Sequence, residues 1–274
     1  MTSYSFQFLS QIATTTTSTT STSTSTWTTS TTITMTQQVW LNGNLDGSRS
    51  ASAYDGLWGI TTIGVTFQSN NPPVFNGYID NVRFEARAKN STEILNDATL
   101  HVYYSFDGGS LTDNGPNGIN GTAYGNLSST TGRVNQALQL NSGPYIYYSY
   151  TPFYFLGISG HPLTIALWAK PTGSYAQQTL VLVDSSSWCV HYLAMSSTGQ
   201  LVAYSWKGAD IGTNGPILPL NTWTHIGYTY STTNGIRLYI NGTQYSTTGS
   251  FTLSGSGFPM RIILGGDRAI RQYM

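Results

Sequence analysis

Charge is scarce in this 274-residue chain: 8% of residues are Asp, Glu, Lys or Arg, against about 25% in ordinary soluble domains. The eleven basic and eleven acidic side chains cancel. A nucleic-acid binder needs a basic footprint to displace counterions from phosphates, and this balance argues against one. No apolar run approaches the roughly 20 residues that span a bilayer, so no membrane span is written here. The opening MTSYSFQFLSQIA has one apolar cluster around Phe6 to Leu9 and no basic flank. It does not read as a signal peptide.

Cysteine is nearly absent too. Cys189 is alone, so no intrachain disulfide can form and the redox compartment stays undecided. It lies in the strand-like WCVHYLAM, where a buried, inert thiol is expected. His191 falls on the same strand face, but nothing else supports a thiol–imidazole pair. Glutamate occurs only as Glu85 and Glu93. Cleaving a glycosidic bond takes two closely set carboxylates, one to protonate the leaving oxygen and one to attack or activate water. Asp80 and Glu85 are the nearest approach, and their odd spacing puts them on opposite faces of a strand. The chain is therefore expected not to be an enzyme. His101, His161, His191 and His225 are scattered and make no metal spacing.

Serine and threonine are abundant instead. Residues 14–32 are all Ser or Thr except Trp27. Such a tract cannot bury enough apolar surface to offset its ordering entropy, so residues 1–38 are predicted to be a disordered linker or an O-glycosylated stalk. From Val39 onward, short β-branched and aromatic runs alternate with Gly/Asn/Asp turns, the pattern of an all-β sandwich or barrel. In LTIALWAKP, Leu163, Ile165 and Leu167 share one face, with Thr164, Ala166 and Trp168 on the other. QTLVLVD, WCVHYLAM and LVAYSW continue the strands, the last two joined by the turn SSTGQ. WTHIGYTY, IRLYI and TQYS form a meander, and Asn241-Gly242 signals a two-residue turn with positive φ at both positions. Only STEILNDA (91–98) reads as helix, with Ser91 as its N-cap.

VWLNG at 39–43 echoes LYING at 238–242, and ITTIGV at 60–65 echoes RIILGG at 261–266. The offset of about 200 residues marks two copies of one strand pair. LTIALWAKP, NTWTHIGYTYSTTNGIRLYING and the LGGD turn resemble the laminin-G-like jelly-roll family of the concanavalin A-like superfamily. So do FNGYIDNVRFEARAKNSTEI, similar to the strand that closes the family's domain, and YYSFDGGSLTDNGPNGINGTAYGN, similar to its opening strand and loop. The resemblance implies an antiparallel jelly-roll β-sandwich. Residues 39–98 then hold the C-terminal strands of a first module, and 101–274 a second module lacking its last strand. The family sets its first and last strands side by side, so residues 74–106 are expected to complete the second module as a circular permutation would. The alternative is a stretch cut from a longer tandem array.

Residues 107–122 offer Asp107, Asp113, Asn114 and Asn117 as hard oxygen donors, and the resemblance implies a Ca²⁺ ion at a rim loop, with Asp107 and Asp113 the expected ligands. Sugar binding needs exposed rings beside polar groups. Trp206, Lys207 and Asp210 in YSWKGAD fit that need, with Trp188 and Tyr192 as a second set. Trp168 and Trp223 match core positions of the family. Asn90, Asn120, Asn126 and Asn241 head glycosylation sequons, which lean toward an extracellular or cell-surface address. The expected function is a non-catalytic extracellular module that recognises a glycan or a matrix or surface protein. The alternative is an adhesive or spacer repeat without a ligand.

Overall fold

The computed structural model describes residues 6–21, 27–51, 63, 76–77, 82, 88–140, 145–148, 151–173, 177–185 and 188–266. It separates into two compact units, 1–100 and 101–274.

In the first unit, β1 (Phe6–Ser21), β2 (Trp27–Leu41) and β3 (Asn44–Ala51) form an antiparallel sheet in that order. Within 14–32 the described residues are strand, Thr14 opposite Thr34 and Ser18 opposite Ser30, while 22–26 lie outside the described residues. The physical reason is local. Threonine is β-branched and favours the pleated backbone whether or not it buries anything. Asn42 and Gly43 link β2 to β3 with φ of 51° and 78°. The echoed Asn241-Gly242 has φ of 49° and 81°, so the internal repeat is a repeat of hairpin geometry. Helix α1 (Ser91–Thr99) starts one residue earlier than expected: Asn90, not Ser91, is the N-cap, in a reciprocal capping box with Glu93. A Cβ on Gly43 would lie 2.9 Å from Leu95 Cδ1, which brings the turn close against the helix. The stretches ITTIGV and VFNGYIDNVRF fall almost wholly outside the described residues, as do Asp80 and Glu85.

The second unit holds the remaining strands: β4 (Thr122–Tyr124), β5 (Ser128–Thr131), β6 (Gln136–Gln139), β7 (Tyr145–Tyr148), β8 (Leu163–Ala169), β9 (Thr179–Asp184) and β10 (Cys189–Met195). They continue as β11 (Gln200–Trp206), β12 (Asp210–Ile217), β13 (Thr224–Ser231), β14 (Gly235–Ile240), β15 (Thr243–Thr247) and β16 (Arg261–Leu264). A seven-stranded antiparallel sheet runs β12-β11-β10-β9-β16-β7-β4. A four-stranded sheet runs β15-β14-β13-β8, and β5–β6 is a separate hairpin. The two large sheets share one core, as a jelly-roll sandwich requires.

Much of that core is tyrosine. Tyr192 of the larger sheet meets Tyr228 of the smaller with ring centroids 5.3 Å apart. Burying a phenol is tolerable when its hydroxyl finds a partner. Tyr228 Oη donates to Tyr204 O at 3.3 Å, and Tyr230 Oη donates to Phe251 O at 3.0 Å while accepting from Leu253 N at 2.8 Å. Loss of water raises the phenol pKa of Tyr148, Tyr192 and Tyr228 well above its usual value. Around them pack Leu193, Leu201, Ile226, Ile236 and Leu238, all fully buried.

Two expectations change here. The resemblance implies an opening strand in HVYYSFD, but 101–106 is irregular. Side chains take the place of a ladder: Tyr103 N donates to Asp113 Oδ1 at 2.9 Å and Ser105 N to Asn114 Oδ1 at 3.1 Å. Val102, Tyr104 and Phe106 still pack on the core, with Tyr104 stacked 4.3 Å from Tyr148. Trp168, matched to a core position, is instead on the outer face of β8 and 45% exposed. The alternation of LTIALWA leaves no other face for it.

Candidate functional site

One end of the sandwich gathers the loops that the sequence singled out. Trp206 ends β11 and Asp210 begins β12, paired across a tight turn in which Lys207 N donates to Ala209 O at 3.0 Å. Trp188 stands just before β10, its carbonyl accepting from Ser185 N at 2.7 Å. Lys207 and Asp210 are exposed. The two indoles are half-buried against the core, so they prop the rim more than they face solvent. Tyr192 is 1% exposed and belongs to the core, which removes it from any binding surface.

A pair of loops missed by the strand pattern builds a groove at this same end. Residues Thr151–Gly157 wind as short 3-10 turns, and the chain returns past them as Gly255–Pro259. The loops are zipped by backbone N–H donors, two to carbonyls and one to a hydroxyl: Gly160 N donates to Leu253 O at 3.0 Å, Gly257 N to Gly157 O at 2.9 Å and Gly255 N to Ser159 Oγ at 2.9 Å. Ser254 N donates to Trp206 O at 2.7 Å, which ties the zipper to the β11–β12 rim. Glycine is obligatory at the crossing. A Cβ on Gly157 would sit 1.9 Å from Phe258 O, and one on Gly255 2.2 Å from Gly157 O.

The result is a groove of about 380 Å³ between Tyr154, Ile158 and Ser159 on one side and Gly255, Phe258 and Pro259 on the other. Tyr154 is 54% exposed, Ile158 44% and Phe258 66%. Large apolar side chains clustered at a concave surface are the part of a fold that needs explaining. Two exposed aromatic side chains, glycines and a serine hydroxyl line the groove, a composition that suits a ligand with one apolar face and hydroxyls at its edge. The legible signal was FYF followed a hundred residues later by GSGFP, aromatic residues next to loop glycines.

The carboxylates expected to hold calcium are engaged otherwise. Asp113 is buried, and its carboxylate accepts from Tyr103 N at 2.9 Å, Gly115 N at 2.7 Å and Ile119 N at 3.0 Å. Asp107 accepts from Gln136 N at 3.0 Å and Asn135 Nδ2 at 3.3 Å, bonds that lower its pKa. Three backbone N–H groups hold Asp113, and one backbone N–H and one side-chain amide hold Asp107, so both carboxylates already anchor loop structure. Among the described residues no three His, Cys, Asp or Glu side chains come together to hold a metal ion.

The sequon asparagines also have local duties. Asn90 caps α1, Asn120 Oδ1 accepts from Asp113 N at 3.0 Å, and Asn241 Oδ1 accepts from His225 N at 3.0 Å. Asn126 is exposed in the loop before β5. The imidazole of His191 is hydrogen-bonded to Thr179 Oγ1 at 3.0 Å.

Residues 119–273 match a laminin G family model described as concanavalin A-like lectin/glucanases superfamily. The chain belongs to this family. Its match begins inside the Asp113 loop and runs through both sheets of the sandwich. No curated protein matches the chain. Among solved structures, this laminin-G-like chain is similar to domain 4 of AbnA, a GH43 extracellular arabinanase from Geobacillus stearothermophilus, in complex with arabinotriose: 19% identity, 60% of this chain and 82% of that one, TM-score 0.43. It is also similar to the binding domain of Paraclostridial Mosquitocidal Protein 1, at 19% identity over 61% of this chain and 44% of that one, TM-score 0.47. The binding domain of botulinum neurotoxin DC in complex with SialylT matches at 16% identity over 56% and 40% of the two chains, TM-score 0.43. The laminin-G-like chain thus spans less than half the length of either toxin binding domain.

Proposed function

We propose that this laminin-G-like module is a non-catalytic carbohydrate-binding unit working outside the cell, and that it takes a saccharide in the groove between Thr151–Gly157 and Gly255–Pro259. The observation that carries the reading is the exposure of Tyr154 and Phe258 on either side of a glycine-lined floor. A pyranose presents its C–H face to such rings and its hydroxyls to Ser159 and the neighbouring backbone. Membership of a superfamily that includes lectins supports the same reading. Five of the described carboxylates have structural duties, which supports a binder over a hydrolase. Asp113 and Asp107 anchor loops, Asp184 is paired with Arg261, Asp97 with Lys89, and Glu93 closes the helix cap.

A spacer without its own ligand is the second reading, favoured by the repeated Asn-Gly hairpins of a tandem array. A glycan array probed with the full chain, with Ca²⁺ and again with chelator, separates the two. Saturable, chelator-insensitive binding to a defined set of glycans supports the groove. Silence across the array supports the spacer. Release of reducing ends from any bound glycan would overturn the non-catalytic reading.

A further inference from the structure

Strand β8 is outermost in the four-stranded sheet, and among the described residues no strand pairs with its other edge. Such an edge is a row of backbone N–H and C=O groups that can template a further strand. Folded proteins blunt their edges, and the other three edges of the two large sheets are blunted. β4 is three residues long. β12 carries Pro216 with Gly212 and Gly215. β15 has five residues, and its pairing with β14 slips in register between Leu238 and Tyr239. β8 has none of these devices. Its seven residues include no proline, glycine or charge, and its register with β13 runs unbroken from Leu163 to Ala169.

The core is also short of cover along this edge. On β13, Ile226, Tyr228 and Tyr230 are buried, whereas one strand further out Leu163, Ile165 and Leu167 are only half-buried. Val102, Tyr104 and Phe106 pack on the same core, yet their segment forms no ladder. Tyr103 and Ser105 give their N–H groups to Asp113 and Asn114 instead.

The chain contains a segment of the kind this edge would take. YIDNVRF (78–84) equals β8 in length and is rich in β-branched and aromatic residues. Tyr78, Val82 and Phe84 fall on one strand parity, interrupted by Asp80, with Ile79, Asn81 and Arg83 on the other. Val82, the described member of the first set, is 48% exposed. A single copy leaves it uncovered, as it leaves the edge of β8 unpaired.

We propose that β8 accepts residues 78–84 of a second copy as an added strand. Main-chain bonds along the edge supply affinity, and the parity of Val82 and Phe84 covers the open flank of Ile165 and Leu167. Each chain carries one donor and one acceptor, so the contact is head-to-tail and extends to an open array unless a ring closes. The rim groove takes no part in it.

Sedimentation velocity of the full chain, from dilute to concentrated, is expected to show a mass that rises with concentration. Val82→Asp with Phe84→Asp should sediment as a monomer throughout, at an unchanged melting temperature. A synthetic peptide of residues 76–86, NGYIDNVRFEA, should bind that variant and dissociate the wild-type assemblies. The same peptide with both aspartate changes should bind at least about tenfold more weakly. Hydrogen exchange locates the acceptor: bound peptide should slow exchange across Leu163–Ala169 and leave β12 and β15 as they were. The proposal falls if wild type is monomeric at every concentration or if the aspartate variant associates like wild type. It falls equally if the peptide does not bind, or if protection appears on β12 or β15 instead of β8.

Discussion

Asp184 on β9 and Arg261 on β16 are 77 residues apart in sequence and directly opposite in the sheet, with Arg261 Nε donating to Asp184 Oδ1 at 2.8 Å and Nη2 to Oδ2. Both are buried. Such a pair gains little over an apolar replacement, but losing one partner strands the other charge in the interior. Arg261→Met is expected to cost about 3–5 kcal/mol. Asp184→Leu with Arg261→Met should recover most of that loss. Urea unfolding of the single and double variants checks both.

The glycine crossing gives the next expectation. Gly157→Ala places a methyl group 1.9 Å from Phe258 O, against backbone that cannot yield without parting the loops. Destabilisation of about 1–3 kcal/mol is expected, as for other overpacked sites. Saccharide binding should fall further than stability does, because the groove is made by that close approach. Thermal melts beside binding titrations separate the two effects.

Asp113 holds the 101–119 loop by accepting three backbone N–H groups. Asp113→Asn keeps the shape but exchanges one acceptor oxygen for a donor. Each orphaned buried group costs about 1–3 kcal/mol, so a loss of that order is expected in urea. The melting temperature of wild type should be the same in Ca²⁺ and in chelator. A calcium-dependent rise would return Asp107 and Asp113 to the role the family resemblance implied.

Acid should weaken the fold in two stages. Desolvation lowers the pKa of His101 from 6.5, against the bond to Pro152 O and the field of Asp113, which both raise it. Its unfolded form therefore takes up protons first, and stability falls as pH drops below about 6.5. Asp107 is held below 3.8, first by the Gln136 backbone bond and then by Asn135. Its contribution is complete above 3.8 and fades as pH falls through the lowered value. Melting temperature against pH should lose the upper step in His101→Gln and the lower one in Asp107→Asn.

Strand content was legible because the alternation in LTIALWA and THIGYTY is dictated by a face that must be buried, and the Asn241-Gly242 turn because only that chemistry suits two positive φ angles. What period-2 alternation leaves open is the sheet a strand joins, hence the absence of HVYYSFD from either ladder: side-chain acceptors on Asp113 and Asn114 won its N–H groups. Aromatic count alone does not say which rings are buried. Tyrosine filled the core, Tyr192 included, while two of the exposed rings, Tyr154 and Phe258, lie in loops that meet only in three dimensions. Trp168 could have been placed outward from its own strand parity, which outranks a family match.

The central claim is that the rim groove binds sugar through its two rings. Calorimetric titration of the full chain with its best array glycan, in wild type and in Tyr154→Ala with Phe258→Ala, tests it most directly. Saturable binding in wild type that weakens at least about tenfold in the variant, at an unchanged melting temperature, is the expected result. Equal affinity in the two proteins would contradict it.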